Sequence, residues 1–359
     1  MKYAGIVLRN TKNSLSAVDY APAFDALLSG GVFTDEIVLL AYDAPSKVSA
    51  ALLRLSTECD GVFLVCAPVL LSSARDAVSI ACEEKFTEEY LLETDDCLFA
   101  VLPEGPRGGE IVRTELVPRI DKRRHRTYAR VVLRTCTAPR ESVRAALKKA
   151  DEAGGGRLTL HANDESGCGR IEVIYDQDTP KMTADEVVRI LASELKDYIY
   201  AMEDVTLAER LVAALKLHKM HVSTAESFTA GGVGRAIVQV PGASAVFYEG
   251  INAYDNKAKH ERLNVSEYTL MSKGAVSDET AYEMAAGLLK EGHCDLAIAT
   301  TGIAGPDADG TNKPVGLCFL AVGTKERVRV FRFQLPGDRE TVTRTAINYA
   351  LFLAYKEIS

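Results

Sequence analysis

The sequence predicts an α/β protein of several domains. Three observations carry this. Short apolar runs alternate with helical patterns at both ends of the chain, a middle stretch follows a different element order, and the chain has 359 residues, where a domain holds roughly 100–200. An apolar fraction of 47% supplies ordinary cores. The expected domains are residues 1–128, 129–204 and 205–359.

In the first domain, Tyr3–Leu8, Glu36–Leu40, Gly61–Val65 and Cys97–Leu102 read as strands. Ala21–Leu28, Val48–Ser56 and Ala74–Lys85 read as the helices between them, the alternation of a parallel sheet. Leu102-Pro-Glu-Gly-Pro-Arg-Gly-Gly then breaks the pattern with turn formers.

The middle stretch reads as a small α+β module of order βαββα. Ala129–Arg134 is a strand and Ser142–Ala153 a helix, and Gly154-Gly-Gly breaks the chain. Arg157–His161 and Arg170–Tyr175 pair as a hairpin, and Thr183 with Glu186 makes a capping box for a helix reaching about Tyr198.

Residues 205–359 return to alternation. Thr206–Leu217 is amphipathic, Val222–Ala225 a short strand, Gly231–Val240 a helix and Asp295–Thr301 an apolar strand. Val315–Val322 and Arg327–Leu335 read as neighbouring strands. Arg339–Tyr355 closes the chain as a helix with Val342, Ala346, Tyr349, Ala350 and Leu353 on one face.

Composition narrows the function classes. A net charge of −8 argues against a nucleic-acid or acidic-membrane binder, and the short run Lys122-Arg-Arg-His-Arg reads as a solvated linker. Eight cysteines form no CxxC pair and do not group with the six histidines, so zinc-ligand spacing is absent and no metal is expected. They read as buried small hydrophobes in a reducing cytosol. The first residues read as a strand, not a signal peptide, and no apolar run approaches the ~18 residues of a membrane span. A soluble, cytoplasmic protein is expected.

Three segments of the last domain hold more polar detail than a core requires. Thr224-Ala-Glu-Ser-Phe-Thr-Ala-Gly-Gly places Ser227 and Thr229 between a strand and a helix. A helix N-terminus offers unpaired N–H groups suited to an oxyanion or phosphate, and Gly231 and Gly232 let a ligand approach the backbone. A plain N-cap with packing glycines fits the same spacing. Tyr254, Asn256, Lys257 and Lys259 crowd a strand-to-helix junction. A lysine activates a serine only if its surroundings lower its pKa from about 10.4, and two solvated lysines opening a helix fit this segment too. Thr301, Gly302 and Gly305 end an apolar strand and open a polar loop, the place where α/β sheets bind ligands and also where ordinary Gly/Pro turns occur.

Taken together, these motifs carry a family resemblance. Ala225-Glu-Ser-Phe-Thr-Ala-Gly-Gly, Val240-Pro-Gly-Ala-Ser-Ala-Val-Phe, Ala253-Tyr-Asp-Asn-Lys-Ala-Lys, Gly274-Ala-Val-Ser, Thr301-Gly-Ile-Ala-Gly-Pro, Lys313-Pro-Val-Gly and Gly337-Asp-Arg occur in this order. Residues 205–359 thus resemble the C-terminal domain of the competence- and damage-inducible CinA proteins. The resemblance implies a metal-independent, cofactor-free amidohydrolase that converts nicotinamide mononucleotide to nicotinate mononucleotide and ammonia. By motif position, Ser227 would be the nucleophile and Lys259 its general base, with Tyr254 assisting. Thr229, Gly231, Gly232, Asn256, Thr301, Gly302 and Gly305 would surround the substrate, and Arg339 or Arg344 would hold its phosphate. The two arginines also fit plain charges at a helix start. The sequence departs from the family at Phe228, where a cysteine is usual, and at Ala230, where glycine is usual. Family members commonly assemble, which implies a homo-oligomer, here a dimer.

The same resemblance extends to a molybdopterin-binding-like N-terminal domain, which in some members hydrolyses ADP-ribose with metal ions. Leu102-Pro-Glu-Gly-Pro-Arg-Gly-Gly-Glu is similar to that domain's Leu-Pro-Gly-Val-Pro turn. The departures are large. Val7–Ser14 lacks the family's Gly-Asp-Glu segment, and Gly61–Val65 runs into Cys66-Ala-Pro-Val-Leu-Leu where a glycine-rich loop is usual. Without glycines a loop cannot bring successive N–H groups against a diphosphate, and without acids a hard cation lacks ligands. This domain is expected to be catalytically degenerate. The rival expectations are a metal-dependent ADP-ribose pyrophosphatase in that domain and a non-catalytic competence-related binding protein.

Overall fold

The computed structural model describes residues 1–9, 18–42, 45–86, 88–290, 292–307 and 312–359. Asn10–Ser14, part of the segment compared with the acidic family motif, lie outside them, as do Ala308–Thr311 of the polar loop. The chain divides into two compact units. One comprises residues 1–130, 154–159 and 173–184, the other residues 131–153, 160–172 and 185–359.

In the first unit, the expected strands form as β1 (Tyr3–Arg9), β2 (Glu36–Ala41), β3 (Gly61–Cys66) and β5 (Leu98–Pro103). A short strand that the sequence reading omits, β4 (Leu91–Glu93), runs antiparallel to β5 at one edge. The order is β2-β1-β3-β5-β4, with parallel pairing among the first four. The helices are α1 (Ala21–Ser29), α2 (Pro45–Glu58), α3 (Leu71–Cys82), α4 (Pro106–Ile111) and α5 (Val117–Arg124). Ile6, Val62, Leu64 and Phe99 meet Leu52, Leu55 and Val78 on one face, and Tyr3, Phe63 and Leu102 meet Leu27, Ile111 and Ile120 on the other. Burial on both faces is why β1, β3 and β5 read as near-continuous apolar runs, whereas the edge strand β2 leaves Ile37 and Leu39 exposed.

One expectation for this unit holds only in part. The chain does turn at Gly105, which has φ of 77° and precedes α4, but Gly108 and Gly109 do not break it and lie inside α4. A Cβ on Gly108 would stand 2.1 Å from the Pro103 carbonyl oxygen, and one on Gly109 2.6 Å from that of Pro22. Their absent side chains let α4 pack on the neighbouring backbone.

The middle stretch forms β6 (Tyr128–Cys136), α6 (Arg140–Gly154), β7 (Leu158–Glu165), β8 (Cys168–Asp176), α7 (Lys181–Glu194) and β9 (Ile199–Ala201), in the sheet order β7-β8-β6-β9. This is the βαββαβ ferredoxin-like arrangement, one strand longer than the expected order. Thr183 is not an N-cap, because α7 begins at Lys181 and the Pro180 carbonyl already accepts the Thr183 N–H at 2.9 Å. The helix also stops at Glu194, short of Tyr198, and the chain turns into β9, antiparallel to β6. A capping box forms instead at Thr206 and Glu209, opening α8 (Leu207–His218).

The last stretch continues with β10 (Val222–Glu226), α9 (Gly232–Val238), β11 (Phe247–Asn252), α10 (Asn256–Leu263), α11 (Glu267–Ser272) and α12 (Asp278–Lys290). It ends with β12 (Leu296–Gly302), β13 (Leu317–Gly323), β14 (Val328–Gln334) and α13 (Arg339–Ile358). The sheet order is β11-β10-β12-β13-β14. The first three strands are parallel and the last two add antiparallel. Val222, Ile298 and Leu320 face Leu211, Ile237, Val342 and Ala346, while Ala225, Ala297 and Ala299 face Leu263, Met284 and Ala285. The sheet is thereby covered on both faces, and its loops at the C-terminal ends of β10, β11 and β12 share one edge. Among the described residues no helix is long and apolar enough to cross a membrane.

Candidate active site

The turn after β10 is organised by Glu226. This side chain is fully buried, and its carboxylate accepts the N–H groups of Gly231 at 3.0 Å, Val233 at 3.0 Å and Gly234 at 2.8 Å, together with the Thr229 hydroxyl at 2.7 Å. A carboxylate of β10 therefore caps the start of α9, where the peptide dipoles favour negative charge. The first turn of α9 does not offer free N–H groups, which corrects the sequence reading. With the Thr229 hydrogen spent on Glu226, the Thr300 hydroxyl donates to Thr229 across 2.6 Å, joining β12 to the turn.

Ser227 sits inside this brace and is 8% exposed, and its N–H donates to the Thr300 carbonyl at 3.0 Å. Among the described residues, no acceptor meets the N–H groups of Phe228 and Thr229, although both residues are buried. Unpaired buried N–H groups are rare, so this pair of donors immediately after Ser227 is a feature of the turn. Ala230 and Gly231 both take left-handed backbone, with φ of 50° and 91°. Gly232 serves packing, since a Cβ there would lie 2.3 Å from Ile347.

The second segment lies beside the first. β11 pairs with β10 so that Asn252 stands opposite Glu226, and the Ala253 N–H donates to the Glu226 carbonyl at 2.9 Å. The chain then enters α10, where Asp255 is the N-cap and accepts the Lys257 N–H at 2.8 Å. Lys259, one turn into α10, is 1% exposed, and its ammonium donates to the Tyr254 carbonyl at 2.8 Å. Burial pushes its pKa down to about 8, against the opposing pull of the Asp255 carboxylate. Lys257, two residues earlier, is exposed and pairs with Glu261. The Tyr254 ring is exposed and Asn256 opens α10 in solvent, so Tyr254 touches the lysine through its backbone.

The third segment closes the edge. The Thr301 hydroxyl donates to the Ala275 carbonyl at 2.6 Å, and the Lys313 ammonium donates to the carbonyls of Lys273 at 2.8 Å and Val276 at 2.6 Å. A Cβ on Gly302 would stand 2.6 Å from that of Cys318, so this glycine permits close strand approach. Gly305 has φ of 90°, and its carbonyl accepts the Arg339 guanidinium at 2.7 Å. Arg339 therefore belongs to this edge. Arg344 pairs instead with Glu165 and Glu340, and it lines a cavity of 280 Å³ that none of the three segments enters.

The structure thus gathers Ser227, Thr229, Gly231, the Tyr254 backbone, Lys259, Thr301, Gly305 and Arg339 at one sheet edge, and it employs Gly232, Gly302 and Arg344 elsewhere. Glu226, Thr300 and Lys313 escaped the sequence reading. The available signal for Glu226 was a carboxylate three residues before Thr229 and just ahead of a glycine-containing helix start. The basic run is not the solvated linker the sequence suggests, because Lys122, Arg123 and Arg124 end α5 and two of them turn inward. Arg123 donates to the carbonyls of Thr94 and Asp95, and Arg124 to those of Gly30 and Gly31 while stacking on Tyr128.

Comparisons with known proteins bear on the part of the chain that carries these segments. The CinA C-terminal domain family matches residues 204–358. A competence-damage inducible protein of Clostridium acetobutylicum is 33% identical over 273 residues, covering 75% of this chain and 66% of that protein. A CinA-like protein of Kosmotoga olearia is 44% identical over 161 residues, covering 45% of this chain and 39% of its own length. The matched segments thus span less than two thirds of these relatives. Among solved structures, the competence/damage inducible protein CihA of Agrobacterium tumefaciens is 35% identical, with a TM-score of 0.41, covering 42% of this chain and 94% of that one.

Proposed function

This chain belongs to the CinA family, and from that premise we propose that its C-terminal domain, residues 205–359, is an amidohydrolase that deamidates nicotinamide mononucleotide. The observation that carries the reading is Lys259. An ammonium buried to 1% exposure, held on the carbonyl of Tyr254 and brought to a pKa of about 8, is an unusual use of a lysine. Its helix follows β11, which pairs with β10, and β10 leads into Ser227. Such a lysine is half neutral at about pH 8, where an ordinary lysine stays protonated, and the neutral fraction can act as a general base.

In this mechanism neutral Lys259 takes the Ser227 hydroxyl proton as Oγ attacks the carboxamide carbon. The carbonyl oxygen becomes an oxyanion, and the free N–H groups of Phe228 and Thr229 are the donors suited to it. One such donor contributes roughly 3–4 kcal/mol in comparable sites. Collapse breaks the C–N bond, and Lys259 returns the proton to the departing ammonia. Water then adds to the acyl-serine with the lysine again as base, and nicotinate mononucleotide leaves. The Arg339 guanidinium, one arm of which rests on Gly305, suits the substrate phosphate. Thr229 and Gly231 shape the turn, and Thr301 fixes the facing loop.

The N-terminal residues 1–128 are assigned a degenerate, molybdopterin-binding-like role without catalysis. The turn after β3 supports this, since Ala67-Pro-Val-Leu contains no glycine.

The test is ammonia release from nicotinamide mononucleotide by the full chain, with and without chelator. Chelator-insensitive release that disappears in Ser227→Ala, with an unchanged circular dichroism spectrum, is expected. Full turnover in that variant overturns the assignment. Metal-dependent ADP-ribose hydrolysis by the same variant overturns the reading of residues 1–128.

A further inference from the structure

We propose that Cys136 and Cys168 form an oxidisable dithiol, a modification site that hydroperoxides close to a disulfide. Cys136 ends β6 and Cys168 begins β8, and their sulfur atoms lie 3.5 Å apart. Among the described residues this is the one thiol–thiol hydrogen-bond contact. A disulfide needs its sulfurs at about 2.05 Å, so closure asks for a sulfur displacement of roughly 1.5 Å, within reach of side-chain rotation. The backbones are already held in place. The Thr137 N–H donates to the Gly167 carbonyl at 3.0 Å, and the Cys136 N–H to the Tyr198 carbonyl at 2.9 Å.

The two thiols differ in access. Cys136 is fully buried against α13, where its sulfur lies 3.9 Å from the Asn348 carbonyl oxygen. Cys168 is partly exposed and lines the 280 Å³ cavity together with Arg134, Tyr200, Arg344 and Asn348. A small oxidant therefore reaches Cys168 first. Its thiolate attacks one peroxide oxygen, the O–O bond breaks, and the departing hydroxide takes up a proton, leaving a sulfenic acid. The Cys136 sulfur then attacks the Cys168 sulfur, and its proton leaves with the sulfenic hydroxyl as water. Two thiols are oxidised by two electrons, and one hydrogen peroxide is reduced to two waters. Burial raises the Cys136 thiol pKa, so Cys136 is the less reactive of the two towards the oxidant itself.

The site is tested on the full chain with hydrogen peroxide, followed by thiol blocking, trypsin and mass spectrometry. The expected product is a link between peptides 135–140 and 158–170, with two of the eight thiols lost and both restored by dithiothreitol. Cys168→Ser removes the link. Cys136→Ser leaves Cys168 to proceed to irreversible sulfinic acid, and if that buried substitution fails to fold, Cys168→Ser alone decides. Sulfinic acid at Cys168 in the unmodified protein, or links between other cysteines without this one, overturns the proposal.

Discussion

A parallel strand runs into a helix in both units, β3 into α3 and β10 into α9, and the two turns are built from opposite materials. After β3 the chain goes through Ala67 and Pro68 into a short helical turn that buries Leu70, with no side-chain cap. After β10 it goes through Ser227, Phe228 and Thr229 and two left-handed residues, with a buried carboxylate collecting four hydrogen bonds. The first turn settles its polar groups by local bonds and apolar filling, and that suffices for a fold. The second buries Glu226, Thr229, Thr300 and Lys259 together, and burying polar groups is costly unless each finds a partner. Such outlay at one strand end and not at the other is the physical ground for treating the turn after β10 as the candidate site.

The contrast can be broken or sharpened by substitution, beginning with the largest expected effect. Ser227→Ala should lower ammonia release by on the order of 10³-fold or more, while Ser72→Ala near the turn after β3 should change it by less than about twofold. Lys259→Met should abolish turnover yet raise the urea midpoint, because a buried ammonium is exchanged for an apolar chain of similar length.

The pH dependence follows from the same residue. If the neutral lysine is the base, kcat/KM rises with pH through about 8 and then levels. Its folded pKa lies below the ordinary 10.5, so between about 8 and 10.5 the unfolded chain holds the extra proton and stability rises with pH. Lys259→Met should remove both slopes, and a flat rate profile in the unmodified protein would exclude the lysine as base.

Glu226→Ala should cost about 2–4 kcal/mol in denaturant unfolding, since it strands buried N–H donors at the start of α9. A loss under roughly 1 kcal/mol would mean that water replaces the carboxylate. Arg339→Ala should raise KM for the mononucleotide by about tenfold or more, with Arg344→Ala near unity. Equal effects would erase the distinction drawn between them. The smallest effect belongs to Ala230→Gly. At φ of 50° a Cβ is strained, so glycine should stabilise by about 0.5–1 kcal/mol after its own chain-entropy cost, read as a higher Tm.

Legibility in the sequence followed the range of the interactions involved. β12 and α13 were readable because an apolar run and a helical period are local properties. β4 and β9 were not, being three residues long and defined by their partners. Gly108 and Gly109 read as breakers because their packing partners, Pro103 and Pro22, are set by the fold. At the site, ordered motifs located Ser227 and Lys259, yet local sequence alone described Lys259 as one of two solvated lysines. Only the packing of α10 on α12 shows that Lys257 stays in water and Lys259 does not. Glu226 was hidden for a related reason. Whether the last carboxylate of a strand points to solvent or into the next helix depends on the strand's facing, which a five-residue run cannot declare.

Lys313 stitches two stretches of chain that are about forty residues apart in sequence, gripping the carbonyls of Lys273 and Val276 from the far side of the glycine loop. Thr301 adds a third stitch to the same stretch at Ala275. The two walls are thereby fastened into a single jaw. Under the deamidase reading proposed above, an opening that admitted the mononucleotide would have to swing the two stretches jointly or first break these hydrogen bonds.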